Sequence, residues 1–402
     1  MALKKLVVVK YGGSVLEDGL AFRNAAEAVK AEYERGMGVV VVVSALKGVT
    51  DQLLEVAEDI SPDTPRAVID HIIGLGEEQS TRLMASALKG MGVDAVEITP
   101  DSPSWPIVTD ETYGDAEPIV EECLSNVELG LKPLVERGRI PVVCGFTGRS
   151  PAGNITTLGR GGSDTTAVIL GRCLGADEVV LVKDVAGVYS ADPKKVESAR
   201  PIGWLSAWEA NLMASAGAEV LHDKVFKYKP GDLPIRIVSR HGPLDGDGTI
   251  IDGTLPEHSV ETYERPVFLL NLVGDIVSKP SSLTHLTEEV EAAGGRTLGF
   301  KGNGELTLLV VDGDPLETLN GAHKLVESGE VKAVSCGENL AYLTVRGRGL
   351  DATEIVSVAK KALTGRGVKV PWVQVGHSWF SLLVDHDKLE EAVETLESAL
   401  KA

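Results

Sequence analysis

Short apolar runs rich in valine and isoleucine recur through the first 250 or so residues and alternate with longer segments of amphipathic spacing. Runs of four or five such residues are typical of strands that helices cover on both faces of a sheet. They lie at Leu6–Val9, Val39–Val43, Ile140–Val143, Val179–Val182 and Ile235–Val238. The amphipathic segments predict helices over Ala21–Arg35, Asp63–Met91 and Ser206–Lys224. Together they predict parallel strands joined by crossover helices, that is, a three-layer αβα sandwich.

The pattern is broken by a glycine-rich segment at residues 242–248 and a polar stretch over Gly253–Glu264. We therefore expect one domain over residues 1–255 and a linker over 256–265. Beyond it, a strand–helix–strand–strand–helix–strand order appears nearly twice, which is typical of ferredoxin-like βαββαβ units. The two copies are expected at residues 266–337 and 338–402, with separate strands at 331–336 and 340–345 where they meet. The second copy lacks an obvious final strand, so a strand from elsewhere in the chain is expected to complete its sheet.

Charge and composition narrow the possible partners. Lysine plus arginine number 39 against 59 for aspartate plus glutamate, so the formal net charge is −20. This balance argues against nucleic acid or an anionic membrane as the main partner, and an anionic small substrate would have to meet a local basic cluster. Four scattered cysteines without a CxxC pair fit neither a disulfide framework nor a zinc site. No apolar stretch is long enough to span a bilayer, so a cytoplasmic protein is expected.

Two glycine-rich loops carry the candidate chemistry. Lys10-Tyr11-Gly12-Gly13-Ser14 follows the first predicted strand, where backbone N–H groups can face an anion and Lys10 adds a full charge. Alone, this loop would be interpreted as a turn with a surface lysine. The second loop, residues 156–166, opens another predicted helix and contains Arg160, which can bind a carboxylate through two parallel hydrogen bonds. A helix N-cap would explain Ser163-Asp164 but not the Gly-Arg-Gly-Gly before it.

With these loops, the chain resembles the aspartate kinases, whose motifs it shows in the same order. The motifs are Lys-Tyr-Gly-Gly-Ser at 10–14, Val-Val-Ser-Ala-Leu-Lys-Gly-Val-Thr-Asp at 42–51, Gly-Glu at 76–77, Thr-Thr-Leu-Gly-Arg-Gly-Gly-Ser-Asp at 156–164, Lys-Asp-Val-Ala-Gly-Val-Tyr-Ser-Ala-Asp-Pro-Lys at 183–194, Gly-Ala-Glu-Val-Leu-His at 217–222 and Gly-Thr-Ile-Ile at 248–251. The tandem tail is similar to the pair of ACT domains that these enzymes carry. The run at 156–164 is the most discriminating, because related acyl-phosphate kinases share the Lys-x-Gly-Gly start.

The resemblance implies an ATP-dependent kinase that phosphorylates the side-chain carboxylate of L-aspartate to 4-phospho-L-aspartate, the first step towards lysine, threonine and methionine. Lys10 would neutralise the phosphoryl group in transfer, and Asp164 would organise Lys10 and Ser163. Arg160 would hold the α-carboxylate of aspartate and Glu77 its α-ammonium. The residues implied to enclose aspartate are Ser44, Thr50, Glu77, Phe146, Arg160 and Ser163, and those implied to bind ATP are Lys10, Gly12, Gly13, Ser14, Asp184, Tyr189, Lys194 and Arg240. Mg²⁺ would be bound mainly through the nucleotide phosphates, without a metal site made by the protein.

Elementary chemistry agrees with such a site. A side-chain carboxylate with a pKa of ~3.9 is already ionised at neutral pH, so the nucleophile needs no general base. The barrier is the electrostatic one of bringing two anions together in line. Lys10, Arg160, Lys194 and Arg240 would then form the local basic cluster that a molecule of charge −20 requires.

Departures from the family pattern leave alternatives open. The glycine loop is one residue shorter than the usual Lys-Phe-Gly-Gly-Thr-Ser, and Glu78 stands where arginine is usual. Both favour considering a kinase of the same fold that acts on glutamate or acetylglutamate. A non-catalytic amino-acid-binding regulator is a further alternative. The tail would join two chains into a homodimer or a higher oligomer that binds an amino-acid effector, although its turn sequences differ and lysine or threonine inhibition is not carried over.

Overall fold

The computed structural model describes residues 4–217, 221–255, 258–276, 278–347, 352–376 and 378–400. The chain divides into two compact units, Met1–Leu255 and Pro256–Ala402. No helix within the described ranges is long and apolar enough to cross a membrane. The finer division of the second unit into residues 266–337 and 338–402 stays a prediction.

The first unit is built on an eight-stranded sheet in the order β3-β4-β2-β1-β7-β9-β10-β8. Neighbouring strands are parallel except β9 and β10. A separate hairpin pairs β5 with β6. The elements are β1 (Leu6–Tyr11), α1 (Gly19–Glu34), β2 (Gly38–Val43), α2 (Val49–Ile60), α3 (Arg66–Gly90), β3 (Ala95–Ile98), α4 (Val120–Asn126), a π-helical segment (Val127–Leu131), α5 (Lys132–Glu136), β4 (Ile140–Cys144), β5 (Thr147–Arg149), β6 (Ile155–Thr157), α6 (Gly162–Leu174), β7 (Glu178–Lys183), β8 (Trp204–Ser206), α7 (Ala207–Ser215), α8 (Lys224–Tyr228), β9 (Ile235–Ser239) and β10 (Gly248–Asp252).

Helices cover both faces of this sheet, and strand β1 shows why. Val7 and Val9 pack in one core with Met84 of α3, whereas Val8, between them, packs in the opposite core with Val168 of α6. Successive strand residues point to opposite faces, so an all-apolar run requires apolar partners on both. The predicted three-layer sandwich is confirmed, and all five predicted strands are present as β1, β2, β4, β7 and β9.

The helix predicted over Ser206–Lys224 is wrong as a single element. Helix α7 ends at Ser215, Gly217 has a φ of 94°, and α8 begins only at Lys224. A glycine in the left-handed conformation just beyond a helix is a common termination signal, which the amphipathic spacing masked. Residues 218–220, in the middle of the 217–222 motif, lie outside the described residues.

The second unit is a seven-stranded sheet in the order β13-β14-β12-β15-β17-β16, with β11 also paired to β15. Helices α9 and α10 pack in one core of this unit and α11 and α12 in another. The elements are β11 (His258–Thr262), β12 (Val267–Val273), α9 (Pro280–Ala292), β13 (Arg296–Gly302), β14 (Leu306–Asp312), α10 (Pro315–Glu327), β15 (Ala333–Gly347), α11 (Ala352–Gly365), β16 (Trp372–Val375), β17 (Trp379–Asp385), a 3₁₀ turn (His386–Lys388) and α12 (Leu389–Leu400).

One long strand, β15, serves both βαββαβ copies. Its first half pairs with β12, and its second half pairs with β17 on one side and β11 on the other. The two strands predicted at 331–336 and 340–345 are therefore one strand, irregular near Asn339, whose φ is 54°. The expected completing strand is confirmed as β11, which forms within the stretch predicted as a linker at 256–265. The predicted fold class, a sandwich followed by paired ferredoxin-like copies, is confirmed.

Candidate active site

A cleft opens at the carboxyl ends of the parallel strands. Strand β1 has β2 on one side and β7, far along the chain, on the other, which makes this the topological switch point where α/β sheets bind ligands. The cleft has a volume of about 380 Å³. It is lined by Lys10, Gly13, Ser14, Ser44, Ala45, Leu46, Lys47, Gly48, Thr50, Asp51, Glu77, Phe146, Gly159, Gly161, Gly162, Ser163 and Asp164.

Two helices begin at this cleft without a side-chain cap from the described residues. Helix α2 follows Gly48, with a φ of 79°, and α6 follows Gly161, with a φ of 71°. Both glycines adopt the left-handed conformation that other residues rarely tolerate, and a Cβ on Gly161 would also clash with His222. The first N–H of each helix donates to a loop carbonyl, from Val49 to Leu46 and from Gly162 to Gly159, and the N–H groups that follow in the first turn can bind an anion.

The centre of the site is a buried group of two lysines and one aspartate. Lys10 Nζ lies 2.6 Å from Asp164 Oδ1, and Lys183 Nζ lies 2.7 Å from Asp164 Oδ2. The lysines come from the neighbouring strands β1 and β7, and Asp164 from the first turn of α6. Their side chains are 7%, 16% and 6% exposed for Lys10, Lys183 and Asp164. With both lysines protonated, the group carries one positive charge in excess.

Mutual interactions set the charge states of this group. Burial alone would raise the pKa of Asp164, but Lys10 and Lys183 together hold it well below its usual range, so the carboxylate stays ionised. Burial lowers the pKa of Lys10; Asp164 opposes that shift and the charge of Lys183 adds to it. An incoming anion would offset the excess charge and favour protonated Lys10.

Glu77, on the buried face of α3, offers an oxygen to the cleft. Its Oε1 accepts a hydrogen bond from the Ala45 N–H at 3.2 Å, while Oε2 has no partner among the described residues. Burial raises the pKa of Glu77 to about 8, although the Ala45 N–H and Lys10 act in the opposite direction. Glu78 does not line the cleft, because its carboxylate pairs with Arg82 at 2.9 Å.

Phe146 forms part of the cleft wall in a strained conformation. Its φ is 64°, which for a residue with a side chain costs about 1–2 kcal/mol. Two hydrogen bonds hold it there: its N–H donates to Thr166 Oγ1 at 3.2 Å, and its carbonyl accepts from the Leu158 N–H at 2.8 Å. Such strain concentrates at functional sites, where the surrounding structure maintains it.

The loop that carries Arg160 is fixed from behind while the guanidinium stays exposed. Lys224 donates hydrogen bonds to Asp115 Oδ1 at 2.6 Å and to the carbonyls of Ala116 at 3.1 Å and Leu158 at 2.9 Å. The carboxylate of Asp70 accepts from the Thr157 N–H at 2.8 Å. Arg160 makes no ion pair with any described residue and does not line the cleft.

The residues predicted to bind ATP lie partly outside the cleft. Gly13 and Ser14 line it beside Lys10, whereas Gly12 is buried behind them and accepts hydrogen bonds from the N–H groups of Val15 and Leu16. Asp184, Tyr189 and Lys194 follow β7, and Arg240 follows β9; none of these four lines the cleft.

Of the predicted basic cluster, only Lys10 lines the cleft. Arg240 pairs with Glu17 at 2.7 Å and reaches the Ser14 carbonyl at 3.4 Å, and Lys194 is exposed. Sequence reasoning missed Lys183, and it also missed Lys47 and Asp51 in the lining. A signal for Lys183 was present, because it directly follows the apolar run Val179–Val182 just as Lys10 follows Leu6–Val9.

Comparison with known proteins gives three kinds of match. The model of the amino acid kinase family matches residues 5–239. An aspartokinase of Mycobacterium tuberculosis (strain ATCC 25618 / H37Rv) is 37% identical over 258 residues, 64% of this chain and 59% of that protein. The chain thus spans about three fifths of the length of that relative. An aspartate kinase of Stutzerimonas stutzeri (strain A1501) is 30% identical over 417 residues, 98% of this chain and 97% of that protein.

Two solved structures share the fold. The structure of Escherichia coli aspartokinase III in complex with aspartate and ADP has a TM-score of 0.56 and 23% identity, and the match covers 99% of this chain and 100% of that chain. The aspartate kinase from Synechocystis has a TM-score of 0.73 and 23% identity, with 99% of this chain and 70% of that chain covered. At this identity the likeness shows the fold alone.

Proposed function

This chain belongs to the aspartokinases of the amino acid kinase family, and on that premise we propose that it phosphorylates L-aspartate with ATP. One oxygen of the side-chain carboxylate attacks the γ-phosphorus, the bond to the bridging oxygen of ADP breaks, and 4-phospho-L-aspartate and ADP leave. This would be the first step towards lysine, threonine and methionine. The observation that carries the proposal is the buried group of Lys10, Lys183 and Asp164, which has one positive charge in excess when both lysines are protonated. It lies at the cleft where α2 and α6 begin without a side-chain cap.

The acceptor would be held at its two ends. The partnerless Oε2 of Glu77 supports a role in binding the α-ammonium, because a buried carboxylate is stabilised by a cation that replaces water. The exposed guanidinium of Arg160, on a loop fixed by Lys224, suits the α-carboxylate. The remaining predicted residues that enclose aspartate all line the cleft: Ser44, Thr50, Phe146 and Ser163.

The donor would place its γ-phosphoryl group at Lys10 and the amides of Gly12, Gly13 and Ser14. Asp164 fixes the position of Lys10, and the aspartate substrate needs no general base because its carboxylate is already ionised. Asp184, Tyr189 and Lys194 would bind the rest of the nucleotide from the loop after β7. Arg240, through its contact with the Ser14 carbonyl, would support the phosphate loop.

Mg²⁺ would neutralise charge between the phosphates and supply electrostatic stabilisation there when bound. Both oxygens of Asp164 already pair with lysines. Among the described residues, no group of three or more His, Cys, Asp or Glu side chains could hold a metal ion. We propose that the metal arrives on the nucleotide and is held mainly by its phosphates.

The second unit would join two chains and bind an amino-acid effector. Its paired βαββαβ copies support this, since such units commonly associate into symmetric dimers whose interface binds an effector. Light scattering of the full chain tests the dimer, and a monomer mass would contradict it. We propose that the activity takes place in the cytoplasm, where ATP is available and the four cysteines would stay reduced.

The decisive experiment measures ADP release with aspartate, glutamate and acetylglutamate as acceptors, and traps the acyl phosphate with hydroxylamine. We expect a clear preference for aspartate; release without that preference would reject the proposal. Lys10→Met should lower kcat by about 10²–10³-fold, because it removes a cation aimed at the transferred group. Lys5→Met, on an exposed lysine just before the same strand, is the matched control and should change little.

A further inference from the structure

Lys183 forms an ion pair with the second carboxylate oxygen of Asp164, and Lys10 pairs with the first. It is the last residue of β7, next to β1 in the sheet, and its Nζ is 2.7 Å from Oδ2 while Lys10 holds Oδ1 at 2.6 Å. The site is symmetrical in charge about this carboxylate. The roles proposed above give Lys183 a share in the excess charge but no contact with either substrate.

Charge neutralisation of Asp164 does not require two lysines. Lys10 alone balances the carboxylate, and a second cation at 16% exposure adds desolvation and repulsion between like charges. A buried charge in excess is unfavourable unless an opposite charge approaches it. A polyphosphate brings that opposite charge.

Of the two lysines, only Lys10 lines the described cleft. Lys10 lines the cleft that contains Glu77 and Phe146, whereas Lys183 is absent from that lining although its side chain is partly exposed. The chain continues from Lys183 directly into the loop with Asp184 and Tyr189, the residues assigned to the nucleotide. This continuity puts Lys183 next to the residues proposed for the nucleotide, on the oxygen of Asp164 that Lys10 does not hold.

We propose that Lys183 is a second catalytic residue, which binds the β-phosphate of the nucleotide and stabilises the negative charge that ADP gains as it leaves. The inference rests on the proposed function. When the bond between the γ-phosphorus and the bridging oxygen breaks, its electron pair stays on ADP, and the Lys183 ammonium donates hydrogen bonds to that side. No proton is transferred, so Lys183 remains an ammonium throughout.

The test compares binding of ATP, ADP and AMP, by calorimetry, to the full chain and to Lys183→Met. We expect about tenfold weaker binding of ATP and ADP, unchanged binding of AMP and a kcat lowered about 10²-fold, with partial rescue by Lys183→Arg. Lys195→Met, on an exposed lysine of the following loop, is the control. Equal losses for AMP and ADP, or an unchanged kcat, would overturn the assignment. If Lys183→Met does not fold, Lys183→Gln keeps a donor for Asp164 and gives the same comparison.

A pH profile supplies an independent readout. The charged groups that face Lys10 are Asp164 on α6, Lys183 on β7 and Glu77 on α3. In Lys183→Met the repulsion between the two lysines is gone, so the pKa of Lys10 should rise and the alkaline fall in kcat should move to higher pH. A fall in kcat at unchanged pH would contradict the electrostatic interaction between the two lysines. The two proposals are distinguishable: a wild-type chain without aspartate-dependent turnover, but with the selective loss of ADP binding in Lys183→Met, rejects aspartate as the acceptor and retains the contact of Lys183 with the β-phosphate.

Discussion

Glu77 gives the sharpest prediction, because protonation of its carboxylate competes with binding of the substrate α-ammonium. In the free protein, burial raises its pKa to about 8 from an ordinary 4.5, so at neutral pH the side chain is mostly the neutral acid. An α-ammonium binds well only to the carboxylate. Binding of aspartate should therefore release a proton and become tighter as pH rises to about 8, then level off.

The magnitude follows from the size of the shift. Each pH unit below the pKa weakens binding about tenfold, so the dissociation constant of aspartate should be about 100-fold higher at pH 6 than at pH 9. Glu77→Gln removes a charge-assisted hydrogen bond of about 1.5–3 kcal/mol, or about 10–150-fold in affinity, but only where the wild type is ionised. The two proteins should differ fully at pH 9 and converge near pH 6.

Calorimetry in buffers of different ionisation enthalpy measures both quantities. At pH 7 the wild type should release about 0.9 proton per aspartate bound, and Glu77→Gln none. A pH-independent dissociation constant without proton release would refute the assignment of Glu77 to the ammonium. Stability provides a control of opposite sign: the neutral acid stabilises the fold, so this contribution is full below pH 4.5 and lost as pH rises through about 8. The melting temperature of Glu77→Gln should lack that loss.

Three further outcomes are expected. Gly161→Ala should lower both kcat and the melting temperature, because the added methyl group would clash with His222. The matched control is Gly175→Ala at the other end of α6, where φ is a similar 60° and the space is open; it should lower stability by only about 1 kcal/mol and keep kcat. Equal effects of the two substitutions would contradict the clash. Lys224→Met should free the loop that carries Arg160, and should therefore weaken aspartate binding about tenfold while leaving ADP binding unchanged. Weaker binding of both ligands would contradict this role. Glu78→Gln should change the dissociation constant of aspartate by less than about twofold, as for a surface ion pair, and a change of preferred acceptor would show that Glu78 reaches the substrate.

Much of the first unit could be predicted from local pattern alone. Strands buried on both faces are mostly apolar, so β1, β2, β4, β7 and β9 are visible as short runs rich in valine and isoleucine, despite Pro141 in β4 and Arg236 in β9. Gly48 and Gly161 stand out because they belong to glycine-containing motifs and precede helices at the cleft, whereas Gly217 lies inside amphipathic spacing that hid it.

Features that depend on long-range pairing could not be predicted. The contact of Lys183 with Asp164 requires β7 to lie beside β1, and no local signal gives strand order. Arg240 reads as a free cation until Glu17, far away in sequence, is placed next to it. Strand β11 is polar and lies in an apparent linker, because its partner β15, rather than its own hydrophobicity, determines its conformation.

Strand β11 also decides where the second unit can be cut. It pairs through His258–Thr262 with residues 343–347 of β15, so a fragment starting at residue 266 would leave that backbone edge open. Unsatisfied N–H and C=O groups on a bare edge recruit strands from other molecules, and such a fragment should aggregate or exchange segments between copies. A fragment that begins before residue 258 carries its own cover and should stay dispersed.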